Sequence, residues 1–282
     1  MAKTYYENAG NQVSLEESGF QNLISYELQR DSETGALYTV VRVPQTDQNG
    51  NKQYPFTIWP NYPSGGIQST LEMNRERKFL VAINGAGICP PYGGSVSESG
   101  EPIGILIQNG VLLKDHSDAD PVCKTLTIDG NGTLGYEKQS VTAAQLLAKD
   151  VISTISGYYP LVYNYNNIDN YESDVADHIA NNSTMTGDAQ RQAICQYENG
   201  DYLIITSEGR GFGGGGYFTA RQFQRLCKSY GVKFAYMLDG GGSAQTVIGQ
   251  KQLNCIYERT YGRVMPSYIV FNGTTTFKIT NT

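Results

Sequence analysis

Apolar and polar positions alternate along several short stretches, and these predict most of the strands. Tyr38 to Val43 (Tyr-Thr-Val-Val-Arg-Val) alternates and is rich in β-branched residues, which reads as a strand. Phe79 to Ile83 is a buried strand that ends at Asn84-Gly85. Ile103 to Ile107 and Val111 to Leu113 flank Asn109-Gly110, a pair that supplies the positive φ angles of a tight hairpin. Leu126 to Ile128 and Thr133 to Tyr136 flank Asp129-Gly-Asn-Gly, and Gln192 to Tyr197 and Tyr202 to Thr206 flank Asn199-Gly200, so two further hairpins are expected. Phe234 to Leu238 is a strand leading into Asp239, and Ser267 to Phe271 and Thr275 to Ile279 are closing strands.

Helical periodicity is scarcer and comes with start signals. Ser69 to Lys78 reads as a helix. Thr142 opens another through about Asp150, with Gln145 completing a capping box. Thr219 caps a third through about Tyr230, with Gln222 in the same role and Gly231 at the C-terminal end. Pro55 to Pro63 is aromatic and proline-rich and reads as a loop, as do Gly87 to Gly100 and Ser207 to Gly216. Tyr158 to Tyr171 is dense in Tyr and Asn, Glu172 to Met185 is polar, and neither has a clear period. Residues 1–37 are polar and weakly periodic, an N-terminal arm or edge element before a domain over 38–282. Hairpins outnumber β-α-β units. The expected fold is therefore α+β: one domain with a mixed, largely antiparallel β-sheet core and flanking helices.

Composition narrows the function classes. A hydrophobic content of 39% over 282 residues suits a globular chain, and 32 Gly with 21 Tyr suits many turns and wet aromatic surfaces. The net charge is −6 with no basic block, which argues against a nucleic-acid partner. No run approaches the roughly 18 apolar residues of a membrane helix, so no membrane association is expected. The start, Met1-Ala-Lys-Thr-Tyr-Tyr-Glu, has no apolar signal region, so cytoplasmic synthesis is expected, with release or virion association if a phage encodes the chain. Five widely spaced cysteines without a Cys-x-x-Cys pair read as reduced thiols. With only His116 and His178, a His-based metal site or a Ser-His-Asp triad lacks ligands. His116, Asp118 and Asp120 could hold a cation, but a solvated acidic loop explains them more simply. No cofactor or metal is expected, and oligomeric state is not legible.

The chemistry concentrates in three loops that each follow an apolar strand: Asn84 to Gly104, Ser207 to Gly216 and Asp239 to Gly249. If the three strands are neighbours in one sheet, the loops meet at one end. The most informative stretch is Tyr236 to Val247, where an apolar run stops at Asp239 and is followed by Gly240, Gly241, Gly242 and Ser243. A carboxylate beside bare backbone amides suits a sugar or a phosphate. The other polar groups on these loops are Asn84, Glu98, Glu101, Glu208, Arg210, and the nearby Arg191 and Arg263. Carboxylates with arginines point to glycosidic or phosphoester chemistry. A carboxylate stabilises an oxocarbenium-like centre or activates water, and guanidinium forks bind phosphate. Each has a plainer reading: Arg191 could pair with Asp188, Glu208 could be solvated, Arg210 could be a surface arginine, and Arg263 could cap a helix end or carry a surface ion pair. Gly213 to Gly216 lacks the Gly-Lys-Ser/Thr ending of a nucleotide loop.

Several motifs recur in one order: Ala82-Ile83-Asn84-Gly85, Pro102-Ile103-Gly104, Arg191-Gln192-Ala193-Ile194, Glu208-Gly209-Arg210, the helix from Thr219, Leu238-Asp239-Gly240-Gly241-Gly242-Ser243, and Arg263-Val264. In that order they resemble the phosphodiester glycosidase family over about residues 38–272. The chain departs from the family pattern at Ala86-Gly87-Ile88, where aromatics are usual, at Glu208, where Asp is usual, and at Gln192, where Thr is common. The resemblance implies hydrolysis of a sugar-1-phosphodiester of the N-acetylglucosamine-phosphate type, in a cell-surface or cell-wall glycan. It makes Asp239 and Glu208 the site carboxylates, with Asp239 nearest the anomeric centre. Asn84, Gly85, Glu101, Arg191, Arg210, Gly240, Gly241, Gly242, Ser243 and Arg263 would bind substrate, with Asn84 on sugar hydroxyls and the arginines holding phosphate or shaping the pocket. The partner would be a carbohydrate or sugar-phosphate. The alternative reading is a non-catalytic carbohydrate-binding or virion/tail structural protein of the same fold.

Overall fold

The central strands are buried on both faces, and successive residues join opposite layers. The computed structural model describes residues 13–14, 24–46, 50–60, 67–86, 101–117, 119–209, 217–254, 256, 262–271 and 278–279. In chain order the strands are β1 (Val13–Ser14), β2 (Ser25–Arg30), β3 (Leu37–Val43), β4 (Pro55–Ile58), β5 (Val81–Asn84), β6 (Leu106–Gln108), β7 (Val111–Lys114), β8 (Lys124–Asp129), β9 (Leu134–Lys138) and β10 (Val151–Tyr158). They continue with β11 (Pro160–Tyr163), β12 (Asn166–Asn167), β13 (Gln192–Gln196), β14 (Tyr202–Ser207), β15 (Phe234–Leu238), β16 (Thr246–Ile248), β17 (Lys251–Gln252), β18 (Tyr268–Phe271) and β19 (Lys278–Ile279). The helices are α1 (Thr70–Arg77), α2 (Ala143–Ala148), α3 (Ser173–Asn181), α4 (Ser183–Thr186) and α5 (Ala220–Ser229).

A seven-stranded sheet runs β12-β11-β15-β13-β14-β3-β2, and a five-stranded sheet runs β17-β16-β5-β18-β4. A three-stranded sheet, β10-β8-β9, and the β6-β7 hairpin lie with them. Every described pairing is antiparallel. On one face of the seven-stranded sheet, Ala193, Leu203, Ile205, Ala235 and Met237 pack on Val175 and Ile179 of α3 and on Phe223 and Leu226 of α5. On the other, Val41, Ile194, Ile204, Tyr236 and Leu238 meet Val81, Ile83, Ile269 and Phe271 of the five-stranded sheet and Leu126, Ile128 and Ile155 of the three-stranded one. Ala82, Val247 and Val270 face the opposite way, onto Leu71 and Met73 of α1. This is the α+β arrangement that the hairpin count predicts.

Local signals act where they are written. Ser69 with Glu72, Thr142 with Gln145 and Thr219 with Gln222 each form reciprocal capping boxes at α1, α2 and α5. Asn109 and Gly110 both take positive φ, 48° and 79°, which closes the β6-β7 hairpin with the twist its strands need. One expectation changes, one strand is new, and the edge element takes a definite form. Pro55 to Pro63 is not wholly loop, because Pro55–Ile58 pairs as an edge strand with β18, where a proline at the first position is tolerated. Val151–Tyr158 is an eight-residue strand that the sequence pattern concealed, because Ser153, Thr154 and Ser156 are fully buried and bonded rather than solvated. Their hydroxyls serve Thr57 N, Ile107 N and the Thr125 hydroxyl. Residues 25–30 form the outer strand of the seven-stranded sheet, pairing with β3 along its length. The 87–100 and 210–216 loops lie outside the described residues.

Candidate active site

The site sits at one end of the seven-stranded sheet. Gln192, the first residue of β13, lies opposite both Thr206 and Leu238. The neighbours β14 and β15 are each antiparallel to β13, so they run the same way and stop at the same edge. Arg191, Ser207-Glu208 and Asp239 therefore form a row across three strands. Asp239 and Glu208 stand two strand spacings apart, roughly 10 Å between backbones. The third expected loop arrives from elsewhere, because β5 belongs to the five-stranded sheet. The convergence is thus made by two stacked sheets, not by three neighbours in one.

Asp239 leaves β15 into a turn that needs its glycines. A Cβ on Gly240 would lie 2.3 Å from the Gln190 carbonyl oxygen, and Gly241 takes φ +56°. The Gly241 amide donates to Gln190 O at 2.9 Å, and the Ser243 amide donates to Gly240 O at 3.1 Å. Among the described residues, the amides of Gly240 and Gly242 donate to no protein acceptor. The Asp239 side chain is 23% exposed and stands 3.6 Å from Nη1 of Arg263, whose side chain is 49% exposed. That same Nη1 donates to the buried Ser243 hydroxyl at 3.0 Å, and the Arg263 amide donates to Gly242 O at 2.7 Å. A carboxylate and a half-exposed guanidinium thus meet at a mouth beside the glycine turn.

The residues beneath this mouth hold it in place. Arg191 is 4% exposed. Its Nε donates to Phe218 O at 3.2 Å, and its Nη2 donates to Thr184 O at 2.8 Å, Gly187 O at 3.0 Å and Met185 O at 3.4 Å. Burial lowers its pKa to about 10, against the opposing pull of Tyr159, Asp188 and Asp239, so it stays cationic at neutral pH. The expected phosphate fork is therefore largely engaged with backbone on the helix side, and Arg191 works as a brace. Asn84 is fully buried. Its amide donates to Asp239 O at 3.2 Å, and its carbonyl accepts the Gln245 amide at 3.3 Å. It positions the glycine turn and does not present itself to sugar hydroxyls. A Cβ on Gly85 would lie 2.8 Å from Ser267 backbone atoms, so this glycine permits β5 and β18 to approach. Glu208 is 3% exposed, accepts the Thr39 hydroxyl, and donates its amide to Leu37 O at 2.8 Å.

Glu101 is not brought to this mouth. It pairs with Lys114 at 3.3 Å, beside Trp59, Leu112 and His116 in a separate cavity. Lys114 is buried and needs both this carboxylate and the Pro102 carbonyl at 3.0 Å. Arg210 and Glu98 lie outside the described residues, as does Asp118 of the acidic loop. Among the described residues no group of three or more His, Cys, Asp or Glu side chains could hold a metal ion.

Two groups at the site were not read from the sequence. Tyr158 ends β10, and Tyr159 O accepts the Met237 amide at 2.8 Å, which sets this pair beside the end of β15. Burial first, then the Asp239 charge, hold the Tyr158 phenol well above its ordinary range, so it stays neutral beside that carboxylate. Gln245 is fully buried. Its side chain accepts the Thr70 amide at 3.0 Å and donates to Arg263 O at 2.8 Å, tying α1 to the backbone of the site arginine. Neither belongs to a local motif. The one local signal near either is the glycine run, which ends three residues before Gln245.

The comparisons decide the family. Residues 77–271 match the family model described as phosphodiester glycosidase, a span that contains every described part of the mouth. The chain belongs to the phosphodiester glycosidase family. A SPbeta prophage-derived uncharacterized protein, YomE, of Bacillus subtilis (strain 168) is 30% identical over 194 residues, which is 67% of this chain and 27% of that protein. The chain thus spans about a quarter of that relative's length. Among solved structures, the zebrafish N-acetylglucosamine-1-phosphodiester alpha-N-acetylglucosaminidase catalytic domain, auto-inhibited by its pro-peptide, superposes with a TM-score of 0.66 at 16% identity. That match covers 93% of this chain and 87% of the other. A hypothetical protein from Synechocystis gives 0.61 at 13% identity, covering 88% of this chain and 61% of that one. These likenesses establish a shared fold.

Proposed function

We propose that this member of the family is an active hydrolase that cleaves a sugar-1-phosphodiester in a cell-surface or cell-wall glycan. The observation that carries the reading is the Asp239 carboxylate, 3.6 Å from half-exposed Arg263 at the head of the glycine turn. In the reaction, the bond between the anomeric carbon and the phosphate oxygen breaks. The electron pair leaves with the phosphate monoester, water adds its oxygen to the anomeric carbon, and the proton it loses passes to solvent at neutral pH. A phosphate is already a good leaving group, so the dominant need is electrostatic. Asp239 faces the positive charge that develops at the anomeric carbon. Arg263 faces the negative charge on the departing phosphate. Glu208 is the second carboxylate of the row, and its buried setting suits control of a water or of Thr39 more than direct contact with bulk solvent.

The test is release of free sugar from a panel of sugar-1-phosphodiesters, including an N-acetylglucosamine-1-phosphate ester, by wild type and Asp239→Asn. Turnover in the wild type that falls by at least about a thousandfold in the variant supports the reading. Turnover that survives in the variant removes Asp239 from the chemistry. A folded wild type that turns over no panel member favours a second reading, a carbohydrate-binding virion component, which the prophage origin of the relative YomE motivates.

A further inference from the structure

A second cavity lies at the other end of the sheet. It has a volume of about 500 Å³ and is lined by Tyr136, Tyr163, Glu172, Glu137, Lys138 and Lys149, within the size range of small-molecule sites. Tyr163 pairs with Phe234, at the start of β15, whereas Asp239 follows its end. At about 3.3 Å per residue the two places are roughly 16 Å apart along the strand.

The lining sets partly exposed rings in front of two buried charges, Glu172 and Lys124. Tyr136 and Tyr163 meet edge to face, with ring centroids 5.3 Å apart and planes at 84°, which makes an aromatic corner. Tyr171 backs Tyr163 at 5.0 Å and 86°. Glu172 is 8% exposed yet forms part of the cavity wall. Its Oε1 accepts the Tyr136 hydroxyl at 3.2 Å, and its Oε2 lies 3.6 Å from Lys138 Nζ and 3.8 Å from the fully buried Lys124 Nζ. Burial, then the Glu172 charge, keep the Tyr136 phenol above its ordinary range and so a neutral donor. On the opposite wall Lys149 pairs with Glu137.

The charges on these walls balance: two lysines and two carboxylates, each engaged with the other sign. A phosphate or a nucleotide needs an excess of cations, and a purely apolar ligand would leave four ionic groups poorly solvated. A pyranose has what the walls offer partners for. It has hydroxyls that both donate and accept, and a C–H face that packs on an aromatic ring. We propose that this cavity is a second saccharide-binding site, which takes one or two neutral hexose units of a glycan. It lies apart from the mouth at Asp239. The assignment stands on the cavity's own lining and not on turnover, so it and the proposed reaction fail separately.

The experiment is equilibrium binding by titration calorimetry and ligand-observed NMR on the whole chain. The probes are neutral tetrasaccharides of glucose, galactose, mannose and N-acetylglucosamine, with poly(glycerol phosphate) as an anionic comparison. Ser140→Trp places a large ring into the cavity from an exposed wall position with no hydrogen bond to lose. Lys138→Ala removes an exposed cation. We expect saturable binding of at least one neutral tetramer by wild type and by Asp239→Asn, weakened tenfold or more by Ser140→Trp and severalfold by Lys138→Ala. The proposal is overturned if no neutral tetramer binds, if folded Ser140→Trp binds as wild type does, or if binding disappears in Asp239→Asn alone. It is also overturned if only the anionic polymer is displaced from the cavity.

Discussion

Replacing Arg191 with methionine separates a brace from a phosphate ligand. The side chain is 4% exposed, and its Nε and Nη2 donate to the Phe218, Thr184 and Gly187 carbonyls at 3.2, 2.8 and 3.0 Å. A hydrogen bond to a charged group contributes about 1.5–3 kcal/mol. Two terms reduce the total. The Thr184 and Gly187 contacts are only partly buried, so their carbonyls can regain water. Removing the guanidinium also removes the desolvation penalty of a buried charge. The expected loss is about 2–4 kcal/mol, which lowers Tm by roughly 5–12 °C in a chain of this size. Arg191→Lys should recover part of it, since an ammonium reaches fewer of these carbonyls than the planar fork does. The assay is urea and thermal unfolding of both variants beside wild type. If Arg191→Met melts within about 1 °C of wild type while sugar-phosphate binding weakens tenfold or more, the bracing argument is wrong and Arg191 is a ligand.

Three further outcomes follow from the same geometry. Arg263→Ala should destabilise by only about 1–2 kcal/mol, because the half-exposed ion pair contributes little and the buried Ser243 hydroxyl loses its donor, yet raise KM for a phosphodiester by roughly ten- to a hundredfold, the value of a charged hydrogen bond. An unchanged KM would remove Arg263 from the phosphate. Gly85→Ala places a Cβ 2.8 Å from Ser267 backbone atoms and should destabilise by about 1–3 kcal/mol in denaturant titration; a variant as stable as wild type would show that β5 and β18 separate easily. His178, bonded to the Tyr159 hydroxyl at 2.9 Å, has its pKa lowered by burial, with Asp120 opposing. The folded state therefore binds fewer protons than the unfolded state, and stability should decline as pH falls below about 6.5, the unfolded value. In His178→Asn that decline should flatten between pH 7 and 5, and an unaltered pH profile would assign the proton uptake elsewhere.

Much of this protein is legible in its sequence, because the relevant forces act over a few residues. Capping boxes at Ser69, Thr142 and Thr219, hairpin turns at Asn109-Gly110 and Asn199-Gly200, and the alternation in β3 depend on neighbours within about four positions. The glycine run after Asp239 is equally local, since its conformation is a property of the backbone. Tertiary structure alone decided which face each site residue took. Arg191 and Gln192 are adjacent, yet the pleat sends one onto α4 carbonyls and the other onto Thr206 and Thr246 between the sheets. Whether a cation braces the fold or greets a phosphate thus turns on which side of the sheet the helices cover. Asn84, Tyr158 and Gln245 gained their roles at Asp239 and Arg263 from sheet stacking and from the end of β10. Glu101 lost its expected role to a buried lysine that needed a counter-charge. Those pairings join residues far apart in the chain, and burial of apolar strand faces, not any local pattern around the polar residues, selects them.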